Sequence, residues 1–373
     1  MAATITTLMP AIRGALLEEI VLYLLNKVGY RTVNAGEEGT RAGHSGLEVR
    51  GRGEWHQIDA LAAFDYTPAF LYPLRLLVEA KAYARNRPIG IEVARNAVGV
   101  LKDISENYFT YSAPSLSGNS KNEKLNYQRY NYHAAIFSTS GFTRGAERYA
   151  IAHQVFLIQY KNNGLMQPIA DGLQRLNGTH FTDNLKRRTQ PVQSIRMAFR
   201  EALAGRRLEE SVFSDLGRAH VFEKILWPVW GINGSYFGML QGTWPMHMLS
   251  TKPLPEQLFE QSDVIKCKVY GRESQTWSFV PESVGRDHEN YFRLDFDLPP
   301  EIALLVGEAK GNKREVAKIK SEHFSFISVS GLIGEVRRQI RLELSEDWIK
   351  ALIEREAVNE AKRLKTHSRG APE

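Results

Sequence analysis

The segment "LRLLVEAKAY", residues 74–83, constrains this chain more than any other. It is an apolar, strand-like run that nevertheless admits a Glu and a Lys two positions apart. Side chains alternate across a strand, so Glu79 and Lys81 share one face while Val78 and Ala80 take the other. Charges inside a sheet are costly unless paired or bound to something. The segment therefore belongs at the end of a buried strand, with its charges at a rim where partners can meet them.

The preceding segment supplies those partners. "EWHQIDALAAF" is a second strand candidate, with Gln57 and Asp59 on a common face. If the two strands pair with their polar ends at the same rim, Asp59, Glu79 and Lys81 converge. Two carboxylates forced together repel unless a cation lies between them. Hard oxygen ligands suit Mg²⁺, with Mn²⁺ as a substitute. A lysine beside them can orient water and offset charge growing on a phosphate. The constellation suits metal-assisted phosphodiester hydrolysis.

The Glu-x-Lys triplet alone carries little, because it recurs at Glu308–Lys310 and Glu360–Lys362. The last lies in a helical pattern and reads as a solvated face. Glu308–Lys310 follows the alternating stretch Phe292–Asp297, and Gly307 and Gly311 signal a turn, so it reads as structural. A rival reading places catalysis there instead, on Asp297, Glu308 and Lys310.

The pattern along the chain predicts two domains. "LMPAIRGALLEEIVLYLLNKVGY" has helical periodicity and stops at Gly29. "YRTVNAG" is a short strand, and the Gly-rich "GEEGTRAGHSGLEVRGRG" reads as loop. The two strands above come next. "RPIGIEVARNAVGVLKDISENY" returns to helical spacing, with Ile91, Ala94, Val98, Leu101 and Ile104 on one side. After a polar insertion over 111–131 come strand "HAAIFST", helix "TRGAERYAIAHQ" and strand "VFLIQY". The expected fold class is α/β, a mixed sheet flanked by helices over residues 1–160, plus a second, β-rich α+β domain. Residues 161–225 read as a basic helical connector. Residues 226–373 read as the β-rich domain, closed by the amphipathic helix "SEDWIKALIEREAVNEAKRLK".

The formal net charge of +6, from 48 basic and 42 acidic residues, is compatible with a polyanionic partner without requiring one. The single cysteine, Cys267, excludes an intramolecular disulfide and a Cys-rich zinc site. The N-terminus does not read as a targeting segment, and the longest apolar run, "IVLYLL", is too short to cross a bilayer. The expectation is a soluble cytoplasmic protein with no membrane partner.

A helix carrying an acid, then "QID", then "VEAK" ending a hydrophobic strand, resembles the PD-(D/E)xK nuclease superfamily. "HQID" and the later "FSTSGFTRGAERYA" with "VFLIQY" are similar to its Mrr-type restriction endonuclease branch. The resemblance covers roughly residues 12–160. The proline of the family name is absent, since Ile58 precedes Asp59. The resemblance implies a restriction-endonuclease-like core, with Asp59, Glu79 and the Ala80 backbone carbonyl as metal ligands, Lys81 as the catalytic lysine and Gln57 lining the site. It also implies a Mg²⁺-dependent DNA endonuclease of restriction or anti-phage defence type, leaving 5′-phosphate and 3′-hydroxyl ends. A homodimer would cut both strands, and the C-terminal half would serve target recognition or a defence-system protein partner.

The helical acid of the site is expected to be Glu18, which shares a helix line with Gly14, Leu22 and Leu25. Glu19 falls on a more polar side. Ser138, Ser140 and Thr143 are candidates to hold phosphate at a helix start, and a helix N-cap by Ser140 or Thr143 is an equal reading that can coexist with it. Arg50, Arg52, Arg85 and Arg87 either contact the DNA backbone or are solvated loop arginines. Tyr108, Tyr111, Tyr127, Tyr130 and Tyr132 are candidates for base stacking, against an idle insertion. His44, His56 and His133 lack metal spacing and read as structural. The main alternative is a catalytically silent nuclease-fold module that binds nucleic acid or scaffolds a defence complex.

Overall fold

The structure is a computed structural model, which describes residues 5–368 except 44–45, 65, 67–69, 107–128, 261, 273–274 and 310. The polar insertion, His44, Lys310 and Tyr108, Tyr111 and Tyr127 lie wholly or mainly outside the described residues. The chain divides into two compact units, residues 1–161 with 166–231, and residues 162–165 with 232–373. No helix among the described residues is long and apolar enough to cross a membrane.

The first unit begins with α1 (Ile5–Val28), then β1 (Arg31–Thr32), β2 (Thr40–Ala42), β3 (Leu47–Arg50), β4 (Trp55–Ile58), β5 (Ala60–Phe64) and β6 (Leu74–Lys81). It continues with α2 (Ile91–Ser105), β7 (Asn131–Ser138), α3 (Arg144–Ala152), β8 (Phe156–Gln159), α4 (Gln167–Arg175), α5 (Asp183–Lys186) and α6 (Pro191–Leu203). It closes with α7 (Asp215–Val221) and α8 (Trp227–Trp230). Five strands form a mixed sheet in the order β1-β5-β6-β7-β8. The pairs β1–β5 and β5–β6 are antiparallel, whereas β6–β7 and β7–β8 are parallel. The parallel pairs need crossovers, and α2 and α3 provide them.

Alternation sorts the sheet into two faces. Leu77, Ala134, Ile136 and Leu157 pack with Ala94, Val98 and Ile104 of α2 and Ala150 of α3. Helix α1 packs against β5 and β6 and also against α4 and α6. It is consequently buried on more than one side, including Leu16, Leu17, Leu22, Leu24 and Leu25 as well as Glu18 and Glu19. Between Ile12 and Leu25 no residue of α1 is exposed, so Glu19 has no solvated side. The expectation that Glu19 occupies a polar side is corrected on that ground. The stretch read as a connector, 161–225, is mostly part of the first unit and supplies that second layer over α1.

Two further readings are corrected. The Gly-rich stretch read as loop contains β2 and β3, which join β4 in a separate three-stranded sheet. The segment "EWHQIDALAAF", read as one strand, breaks at Asp59: β4 pairs with β3, whereas β5 pairs with β6 and β1.

The second unit contains β9 (Gly234–Leu240), β10 (Trp244–Ser250), β11 (Val264–Tyr270), β12 (Trp277–Pro281), β13 (Leu294–Phe296), β14 (Phe326–Ile333) and β15 (Val336–Leu344). They close into a barrel in the order β10-β13-β12-β11-β15-β14-β9. Closure removes the exposed strand edges of an open sheet. Its core gathers Trp277, Phe279, Phe292, Phe296 and Phe324. Its α-helices among the described residues are α9 (Pro300–Glu308), α10 (Lys313–His323) and α11 (Glu346–Ser368). The alternating pattern anticipated the β-rich character of this unit, and α11 is the helix expected at its end.

Candidate active site

The break at Asp59 builds the site. Ala60 sits opposite Val78 in the β5–β6 ladder, so the residue before β5 lies beside Glu79 at the end of β6. The Lys81 ammonium meets both acids, with Nζ 3.1 Å from Asp59 Oδ2 and 2.5 Å from Glu79 Oε1. The backbone N–H of Ala80 also donates to Asp59 Oδ2, at 3.4 Å. The convergence expected from alternation is therefore present: the three side chains share one rim and are partly buried.

The electrostatics follow from crowding. Burial and the neighbouring Asp59 charge raise the Glu79 carboxyl above its ordinary value. Burial opposes the Lys81 ammonium, but the charges of Asp59 and Glu79 outweigh it and move its pKa upward. Lys81 is thus held firmly charged.

Glu18 reaches this rim from α1. Its Oε1 and the Ala80 carbonyl both come within 4 Å of the position a Cβ would occupy on Gly14. Close passage of α1 over β6 therefore brings the acid and that carbonyl together. Glu18 is 6% exposed, and burial followed by the Asp59 charge pushes its carboxyl up to about 8, against Arg196 and Lys81.

Arg196 and Arg200 are the residues that the sequence reading missed. Arg196 Nη2 lies 2.8 Å from Glu18 Oε2 and donates to the Asp59 backbone carbonyl at 2.8 Å. Its Nε donates to Glu19 Oε1 at 2.6 Å. Arg200 donates to both Glu19 oxygens, at 2.7 and 2.8 Å. The available signal was two arginines one helical turn apart beside the apolar stripe Ile195, Ala198, Phe199 and Ala202.

The remaining candidates are placed as follows. Gln57 lies on β4 opposite Glu48 and lines a small cleft together with Glu79, Asn96 and Val100. Arg50 is exposed at the end of β3, and Arg52 is exposed and paired with Glu106 at 3.1 Å. Arg85 and Arg87 are exposed in the loop after β6, Arg87 lying over the Tyr83 ring. Ser138 and Ser140 are fully buried; their hydroxyls pair with each other, and that of Ser138 donates to the Gly141 carbonyl at 3.1 Å. Engaged in this way, they hold the turn itself, and they are not exposed to an outside phosphate. Thr143 caps α3, accepting from the Ala146 N–H at 3.3 Å. Tyr130 stacks on Arg75 and Tyr132 accepts from it, so both tyrosines are occupied by an internal cation. His56 pairs with Asp103 at 2.7 Å and His133 stacks on Phe156, both structural contacts.

Of the rival site in the second unit, Lys310 lies outside the described residues. Asp297 is buried and accepts from the backbone of Asn162 and Leu298. Glu308 ends α9, a nine-residue helix that follows Asp297 in the chain. The turn that Gly307 and Gly311 signalled follows directly, at residues 309 and 311, with Gly311 at φ 76°.

Among the described residues, no group of three or more His, Cys, Asp or Glu is arranged as a metal cluster. The donor set at Lys81 is smaller, two carboxylates with the Ala80 carbonyl nearby. Asp59 Oδ2 and Glu79 Oε1 both contact Lys81 Nζ, and hard carboxylate oxygens gathered at one point are the donor type that Mg²⁺ or Mn²⁺ takes. The residues fit such an ion.

No family model matches the sequence, and no curated protein matches it. Among solved structures, the chain is similar to one titled as a protein of unknown function, AF1548, at 15% identity. That match covers 51% of this chain and 95% of the other, with a TM-score of 0.27. Agreement that low carries no inference about activity.

Proposed function

We propose that the first unit is a metal-dependent DNA endonuclease with a restriction-endonuclease-like core. The observation that carries this reading is the contact of one ammonium, Lys81, with both Asp59 and Glu79 at the strand break. In this reading Asp59, Glu79 and the Ala80 carbonyl hold Mg²⁺ or Mn²⁺. The bound ion would supply Lewis acidity toward a phosphate oxygen. Lys81, in contact with both carboxylates, would orient water and offset phosphate charge. Gln57 borders the same cleft as Glu79 and would contact the substrate from β4. The exposed Arg50, Arg52, Arg85 and Arg87 would meet the DNA backbone. A homodimer, cutting one strand per site, and a recognition or defence-partner role for the barrel complete the reading.

A second reading rests on the same contact. The Lys81 ammonium already balances both carboxylates, which suits a silent nuclease-fold module that binds nucleic acid. Incubation of the purified chain with plasmid DNA in Mg²⁺, Mn²⁺ or EDTA separates the two. Metal-dependent cutting lost in Lys81→Ala, with DNA binding retained, supports the enzyme. DNA binding without cutting in any metal supports the silent module, and cutting that survives Asp59→Ala overturns the site.

A further inference from the structure

We propose that Arg196 is a positioning residue of this site, so that α6 belongs to the nuclease machinery although it lies outside the segment carrying the acids and the lysine. The inference rests on the nuclease reading and deepens it. A single guanidinium holds three groups, the Asp59 backbone carbonyl at 2.8 Å, Glu18 Oε2 at 2.8 Å and Glu19 Oε1 at 2.6 Å. The first is the main chain at the point where β4 gives way to β5. The carboxylate of that same residue faces Lys81 and the Ala80 N–H. Arg196 therefore fixes the backbone from which the Asp59 side chain departs, and simultaneously ties it to the acid arriving from α1.

The geometry demands arginine specifically. A planar guanidinium presents donors in several fixed directions, whereas an ammonium is a compact point charge on a flexible stem. A plain clamp between α1 and α6 is a lesser role, which Arg200 fills through its two bonds to Glu19. Arg196 differs by adding the Asp59 carbonyl and Glu18.

The test uses the full chain and two measurements, calorimetric titration with MnCl₂ alone and steady-state cleavage of plasmid DNA. Arg196→Lys is expected to weaken Mn²⁺ binding about tenfold and to lower kcat about tenfold with KM for DNA unchanged. Arg200→Lys is the control and is expected to alter both by less than about twofold, as a rim clamp should. A folded Arg196→Lys protein with wild-type Mn²⁺ affinity and kcat overturns the proposal. So does an equal loss in both variants, which would mark a general helix clamp. Should Arg196→Lys fail to fold, Arg196→Gln is the second variant, since it keeps a donor for the Asp59 carbonyl, and it is expected to show the same loss. Failure of both to fold assigns Arg196 to the core and overturns the proposal. Wild-type protein that binds no Mn²⁺ overturns the nuclease reading, and this one with it. Binding and cutting in wild type with Arg196→Lys unaffected overturns only the role of Arg196.

Discussion

Glu18→Gln probes the electrostatics of the rim most directly. Glu18 is 6% exposed, and its carboxyl is displaced from 4.5 to about 8, first by burial and then by the Asp59 charge. The folded protein therefore holds the Glu18 proton more tightly than the unfolded chain does. Below pH 4.5 both states are protonated and no penalty arises. Between 4.5 and 8 the unfolded state binds fewer protons, so stability falls as pH rises, and above 8 the loss is complete. At about 1.36 kcal/mol per unit, the displacement amounts to no more than about 5 kcal/mol. Gln keeps the shape and a hydrogen-bonding oxygen for Arg196 but cannot titrate. Urea unfolding of both proteins in EDTA, at intervals from pH 5 to pH 9, is the assay, with the transitions of the two units fitted separately. The variant is expected to gain stability relative to wild type by several kcal/mol, about 2–5, across that range. A difference that stays constant within about 0.5 kcal/mol would refute a protonated Glu18 at the rim.

Lys81→Met removes the ammonium between Asp59 and Glu79 and should cost about 3 kcal/mol in EDTA, the order expected for breaking a partly buried pair. Mn²⁺ should then raise the melting temperature of this variant more than that of wild type, and equal shifts in fluorimetry would argue against a shared ion. Lys320 donates to the Val269 carbonyl beneath Trp277, and burial lowers its amine from 10.5 to about 8. The folded state releases this proton first, so wild-type stability should rise between pH 8 and 10.5 by about 3 kcal/mol, a rise absent from Lys320→Met in alkaline denaturation curves. Gly217→Ala would place a Cβ 1.9 Å from the His180 carbonyl, and the resulting displacement should cost the first unit about 3 kcal/mol in urea unfolding.

Local periodicity made part of this molecule readable. Alternation placed Glu79 and Lys81 on one face, and the helical spacing of Ala94, Val98 and Ile104 marked the buried side of α2. From β6 through β8 the strand–helix order followed from the same two periods. Those periods do not report where a strand changes partner, so the break at Asp59 was hidden inside one continuous strand pattern, and β2 and β3 were hidden inside a glycine-rich stretch.

The sequence by itself determined which charges share a face, because side-chain direction depends only on local backbone period. Tertiary structure decided which distant groups answer them. Glu19 fell on the more polar helix side by spacing, yet α6 packs on α1 and buries it, and Arg196 meets the Asp59 carbonyl across 137 positions of chain. Such a contact depends on helix packing in three dimensions, and no short-range spacing encodes it.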